Sequence, residues 1–268
     1  MTRCKMELYQ ILVPIIKDAG KIILGALNSD AEDSATEKSG DVNFVTVYDV
    51  KTQNFIMSEI KKAIPEAEFI AEEKDNDSGV LNAEYCFVID PIDGTTNFIH
   101  NYKQSSISVA VFSHGEPIFG AIYDPYLDEL FYAEKNKGAY VNGKKMTVSD
   151  RKIDKAVVSY GTSPYYKAEL GDKTFGLCKD IFGIAADVRR TGSAAIDLAY
   201  LAAGRTDGFF EFRLSPWDFA AGYVLIMESG GIIADMNGDS VKFTAPSSII
   251  AANKNVYPHI LKKSQKYI

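Results

Sequence analysis

Leu8, Ile11, Leu12, Ile15, Ile16, Ala19, Ile22 and Ile23 recur at spacings of three and four. That period predicts an amphipathic helix over residues 6–27. Residues 28–40 are polar and acidic, end in Lys38-Ser39-Gly40, and predict a loop. A short β-prone run at 43–48 follows, and a second helix is expected from Asp49 to about Ala63, where Pro65 stops it. The middle of the chain is then a succession of short apolar, β-branched or aromatic runs at 67–71, 85–89, 105–112, 117–123, 129–133 and 139–141. They predict strands, and His114-Gly115 and Asn142-Gly143 between them are hairpin signals. Strands in direct succession predict an antiparallel sheet.

The rhythm changes near residue 150. Strands are expected at 156–160, 187–189, 207–212, 232–235 and 248–252, and helices at 165–182, 193–203, 216–229 and 256–263. This alternation predicts an α/β layer. The fold class is therefore α+β or mixed α/β, with an N-terminal antiparallel sheet with helices (1–150) and a C-terminal α/β half (151–268). No Pro/Gly/Ser-rich linker separates the halves, so they are expected to share one extended core with a cleft between them.

The 268 residues are 46% hydrophobic and 24% charged, an ordinary globular balance for one or two domains. The formal net charge is −7, which argues against a nucleic-acid binder. Cys4, Cys86 and Cys178 form no CxxC pair, so a disulfide framework is not expected. The three histidines, His100, His114 and His259, are too few and too scattered for a nitrogen-ligated metal, so any metal would be held by oxygen. The N-terminal apolar run is interrupted by Lys17, Asp18 and Lys21, and no run reaches the length of a membrane span. With no signal-type apolar segment either, no membrane association and a cytoplasmic location are expected.

Candidate chemistry concentrates in Asp90-Pro91-Ile92-Asp93-Gly94-Thr95-Thr96-Asn97-Phe98, directly after the apolar run Tyr85–Ile89. A strand would deliver Asp90 at its C-terminal end, where ligand sites of α/β proteins lie. Pro91 argues against straightforward continuation of the strand. Asp93 could turn back toward Asp90. Gly94 would allow close backbone approach, and Thr95 and Thr96 would offer hydroxyl and N–H donors to a phosphate. Two carboxylates beside an anion seat are compatible when a divalent cation such as Mg²⁺ lies between. An ordinary Asp-Gly turn with Asp93 as a helix cap is the plain alternative. Glu72-Glu73 ends another expected strand and could be surface charge. Asp218, in Ser215-Pro216-Trp217-Asp218, could be part of a capping box. Tyr165-Tyr166 reads as structural aromatics.

Taken together and in order, these segments resemble the inositol monophosphatase family, Mg²⁺-dependent, lithium-sensitive phosphatases. The resemblance runs clearly from Lys38 to Gly231. It rests on Asp90–Phe98, on Trp217-Asp218-Phe-Ala-Ala-Gly222, on Phe69-Ile-Ala-Glu-Glu73, on Arg190-Thr-Gly-Ser-Ala-Ala195 and on Asp207-Gly-Phe-Phe-Glu211. It implies a layered αβαβα sandwich of the sugar-phosphatase type and two to three Mg²⁺ ions. Glu72, Asp90 and the Ile92 carbonyl would hold the first ion; Asp90, Asp93 and Asp218 the second; a weaker third would sit near Glu72. Glu72 and Thr95 would activate the attacking water, with Asp49 supporting Thr95. Gly94, Thr95 and Thr96 would cradle phosphate, and Gly192, Ser193, Ala194, Glu211 and Asp218 would meet the substrate. Lys38 lies where the family places a basic residue near the site. A small phosphorylated substrate and a homodimer are implied as well.

The chain departs from the family at Ala71, at Lys74 and at Arg213, where bacterial relatives often carry Gly. Arg213 is either a solvated surface residue or a second anion contact. Inositol monophosphate is the expected substrate. Fructose 1,6-bisphosphate and 3′(2′),5′-bisphosphate nucleotides are the alternatives within the superfamily, and a non-catalytic cation-binding module is the alternative outside it.

Overall fold

The computed structural model describes residues 7–26, 35–37 and 44–268. Among the described residues it contains seven α-helices and fourteen strands. Helix α1 (Leu8–Ala26) buries Leu8, Leu12, Ile16, Ala19, Ile23 and Ala26 along one stripe. Pro14 inside it faces solvent, where the carbonyl it leaves without a helical partner can reach water. Strands β1 (Ala35–Glu37) and β2 (Phe44–Thr46) pair antiparallel. The first of them lies within the stretch expected to be loop; the rest of 28–40, Lys38 included, lies outside the described residues.

Helix α2 (Val47–Ala63) starts two residues before the expected Asp49. Thr46 takes the N-cap position and Asp49 reaches back to it: the Thr46 N–H and hydroxyl donate to Asp49 Oδ2 at 2.8 and 2.5 Å. A capping box satisfies orphan N–H groups in this way and fixes the first turn.

The large sheet has the order β3 (Glu68–Ala71), β4 (Cys86–Asp93), β5 (Ser106–Ser113), β6 (Glu116–Asp124), β7 (Glu129–Glu134), β8 (Gly138–Val141) and β9 (Lys144–Met146). Its neighbours pair antiparallel except β3 and β4, which are parallel. The expectation of a wholly antiparallel sheet fails at that edge, where the chain crosses over through a 3₁₀ turn at Ser78–Asn82 instead of a hairpin. The two hairpin signals are borne out. His114 and Gly115, and again Asn142 and Gly143, all have positive φ, as a type I′ turn requires. The second turn leads into β9, which its lysines had hidden.

The smaller sheet has the order β11 (Asp187–Arg189), β10 (Val157–Tyr160), β12 (Gly208–Leu214), β14 (Ser247–Ala252) and β13 (Ile232–Asp235). Its pairings are parallel on the β11–β10–β12 side and antiparallel on the other. Between the two sheets lie α5 (Ala194–Ala202) and α6 (Pro216–Glu228), apolar nearly all round, as helices covered on two faces must be. Helices α1 and α2 cover the outer face of the large sheet. Helices α4 (Lys167–Phe182) and α7 (Tyr257–Ser264) cover the outer face of the small one. The layers therefore run αβαβα. The expected helix at 165–182 divides into a 3₁₀ turn at Pro164–Tyr166 and α4.

The sandwich closes most tightly where β6 meets α6. A Cβ placed on Gly120 would lie 2.5 Å from the carbonyl oxygen of Ala221. Gly120→Ala must push helix from sheet, and such overpacking costs about 1–3 kcal/mol. Thermal unfolding should register this as a fall of several degrees in midpoint; an unchanged midpoint would show that the helix and sheet can part there freely.

Candidate active site

The C-terminal end of β4 carries the centre of the site. All eight residues of the strand are buried, and the strand continues through Pro91 to Asp93. It does so with a shift of register between Asp90 and Asp93, so the proline sits in an irregularity and needs no ladder bond. The irregularity brings Asp90 and Asp93 to one cavity of about 310 Å³. Gly94 follows with φ of 92°, a conformation that suits glycine. A Cβ there would also stand 3.1 Å from the Gln104 carbonyl oxygen and 3.2 Å from that of Gly192. The short helix α3 (Thr95–Ile99) begins next.

Glu72 leaves the end of β3 beside the same cavity, its N–H bonded to the Ile89 carbonyl at 3.2 Å. Asp218 arrives from the first turn of α6, where it accepts the Ser215 N–H at 2.7 Å. The capping and cavity roles of Asp218 therefore coexist. Asp93 accepts the Ala195 N–H at 2.8 Å and the Ser193 hydroxyl, which ties it to the start of α5. Ile92, Thr96, Gly192 and Ala194 also line the cavity. Glu211 reaches it from β12 and accepts the Ser163 N–H at 3.0 Å. Asp49 stands one layer back: the Thr95 hydroxyl lies 3.2 Å from Asp49 Oδ1 and 3.2 Å from the Ile92 carbonyl oxygen.

The electrostatics are one-sided. Asp90 and Asp93 are only 2% and 8% exposed. Burial pushes Asp90 well above the usual carboxylate range, and the charges of Glu72, Asp93 and Asp218 push it further. Burial raises Asp218 likewise, with Asp93 and Glu72 adding repulsion. Asp93 is raised to about 6 by burial, against the Ser193 hydroxyl and the N–H groups of α5. Burial lifts Glu211 to about 7 and Asp49 to about 6. No lysine or arginine among the described residues pairs with Asp90, Asp93 or Asp218.

An all-oxygen, negatively charged and uncompensated donor set suits a hard divalent cation. Among the described residues no three acidic, histidine or cysteine side chains form a ready-made cage.

Several lining residues were not singled out in the sequence. Ser163, with φ of 43°, follows β10 in the run Gly161-Thr162-Ser163-Pro164; this turn-rich strand end was the available signal. Asp197 is buried in apolar α5 and accepts the Thr191 hydroxyl at 2.9 Å. A lone acid in Ala194-Ala-Ile-Asp-Leu-Ala199 could have marked it. Tyr165 and Tyr166, read as structural, line the cavity instead. The break between the 3₁₀ turn and α4 turns them toward it.

The raised carboxyls set a pH dependence. An unfolded chain releases the Asp49 and Glu211 protons near their ordinary values of 3.8 and 4.5, whereas the folded chain holds them to about 6 and 7. Stability is therefore lost as pH rises through that window. In EDTA the thermal midpoint should fall between pH 5 and pH 7.5, and Glu211→Gln should flatten the fall. A midpoint that rises over this range would contradict the raising of these acids by burial.

Comparison with known proteins gives a consistent result. The sequence profile of the inositol monophosphatase family matches residues 5–268. The Nus factor SuhB of Escherichia coli strain K12 is 38% identical over 253 residues, covering 94% of this chain and 93% of that protein. Inositol-1-monophosphatase of Mesorhizobium japonicum is 36% identical over 228 residues, covering 85% of each chain. The solved structure of the Thermotoga maritima IMPase TM1415 matches with a TM-score of 0.88 at 30% identity, over 98% of both chains. A match along nearly the whole length, on a fold with the same layers, establishes that the chain belongs to the inositol monophosphatase family.

Proposed function

We propose that this protein is a Mg²⁺-dependent phosphatase that hydrolyses small phosphate monoesters by direct attack of water, with inositol monophosphate as its substrate. The observation that carries the reading is the group Asp90, Asp93 and Asp218, raised by burial and forming no ion pair with a described lysine or arginine, around one cavity with Thr95. Membership of a phosphatase family supports it.

In this reading Glu72, Asp90 and the Ile92 carbonyl would hold one ion, Asp90, Asp93 and Asp218 would hold a second, and a weaker third would be held near Glu72. Such ions would lower the pKa of a bound water and neutralise charge on the leaving oxygen. The chain's own groups do the rest. Asp49 and the Ile92 carbonyl occupy the Thr95 hydroxyl proton, so the lone pairs of Thr95 Oγ are free to accept from the attacking water and orient it. Glu72 takes the water's proton. Gly94, Thr95 and Thr96 donate to the phosphate oxygens. Glu211, Gly192, Ser193 and Ala194 meet the hydroxyls of the ring, and the Ser163 N–H holds the Glu211 carboxyl in place. The catalytic surface joins residues from both proposed halves, 1–150 and 151–268. Lithium sensitivity, a homodimer and a cytoplasmic location belong to the same proposal. No described helix is long and apolar enough to cross a membrane.

Phosphate release from inositol 1-phosphate, fructose 1,6-bisphosphate and 3′-phosphoadenosine 5′-phosphate, with Mg²⁺ or with EDTA, tests the reading. Inositol 1-phosphate should be hydrolysed best, and EDTA should abolish turnover. Losing even an outer partner of a metal ligand costs about 10–100-fold, so Asp93→Asn should cost more than about a hundredfold. Full activity of that variant would refute the metal assignment. A different winning substrate with the same metal dependence would overturn only the substrate. Thr95→Ala should lower kcat by about 10²–10⁴-fold, with Thr95→Ser retaining much of it; equal loss in both would mean that the hydroxyl is not what matters.

A further inference from the structure

Arg213 is held in a way that a solvated surface arginine does not need. It lies in β12 where the register with β14 shifts between Glu211 and Leu214. A bulge of this kind re-aims a side chain, often beside an active site. Its φ is 54°, a left-handed conformation that a bulky side chain rarely adopts and that persists only where the surroundings impose it.

The surroundings are specific. Phe212, one residue back, gives its carbonyl to the Ser163 hydroxyl, and the Ser163 N–H holds Glu211. Ser163 is itself left-handed and opens the 3₁₀ turn that carries Tyr166. The Arg213 guanidinium lies over the Tyr166 ring, 4.1 Å from its centroid. Both side chains line the cavity that holds Asp93 and Glu211.

The guanidinium is positioned but not satisfied. Its one charged neighbour among the described residues is the exposed Glu169, at 3.8 Å, too far for a hydrogen bond. An exposed pair of this kind contributes little. A planar fork stacked on a ring keeps its N–H edges free, and those edges match the oxygens of a phosphate.

We infer that Arg213, stacked on Tyr166, is a specificity-determining residue that binds a second phosphate on the substrate, so that a bisphosphorylated polyol replaces the monophosphate of the same ring as the favoured substrate while the phosphatase chemistry proposed above is kept. The inference rests on the phosphatase reading above. Its chemistry is recognition only; the hydrolysed ester and the leaving alcohol are unchanged.

The test is kcat/KM for inositol 1,4-bisphosphate and for inositol 1-phosphate, with wild type, Arg213→Gly and Arg213→Lys. Glycine suits the backbone at φ of 54°, so folding is preserved there. A charge-assisted contact is worth roughly ten- to a hundredfold in binding. The wild type should favour the bisphosphate by about tenfold or more. Arg213→Gly should bring the ratio close to one, through KM for the bisphosphate and not through kcat, and Arg213→Lys should fall between. A wild-type ratio near one, or a ratio that Arg213→Gly leaves unmoved, overturns the inference and leaves the phosphatase reading standing. Hydrolysis of neither compound with Mg²⁺ removes the phosphatase reading, and this inference falls with it.

Discussion

Several carboxylates gathered in a low-dielectric pocket repel one another, and burying Asp90, Asp93 and Asp218 costs stability that no ion pair with a described base returns. Asp90 feels Glu72, Asp93 and Asp218 at once and is buried as well, and Asp218 feels Asp93, Glu72 and Glu211. A chain keeps such an arrangement when something positive completes it. The rest of the molecule can be understood as the frame that holds these acids against their repulsion. Strand β4 is buried along its full length, α6 is wedged between two sheets, and α2 is locked by its capping box. Each of these rigid elements delivers one or two acids, so repulsion cannot be relieved by letting a loop swing outward.

The frame also explains the double use of polar groups. Asp218 caps α6 and Asp49 caps α2, while both stand at or just behind the cavity. Asp93 is anchored by the first turn of α5. Helix starts supply N–H donors that stabilise a carboxylate. They therefore moderate the repulsion at the points where the acids are held, without bringing in a basic side chain that would compete with a cation.

Much of this was legible in the sequence because the signals were local. The period of α1, the two hairpin turns and the order of strands and helices follow from residues near one another. The rest depended on contacts that spacing does not encode. The parallel pairing of β3 with β4 depends on a crossover, and β9 is formed by lysines that carry no β signal. Passage of β4 through Pro91 requires a register shift that only the neighbouring strand reveals. Ser163, Tyr166 and Asp197 reach the cavity from elements far away in sequence, and nothing in their immediate neighbours declares it. The bulge at Arg213 is the sharpest case, because the departure from Gly was visible in the sequence while the ring beneath the guanidinium was not.

Every role given to the cavity requires that the buried acids form a cation site. Calorimetric titration of the metal-free protein with Mg²⁺ at pH 7.5, repeated on Asp218→Asn, tests that claim most directly. The wild type should bind more than one ion, and the variant should lose one of them while remaining folded. Absence of binding to the wild type, or the same stoichiometry in both proteins, would contradict it.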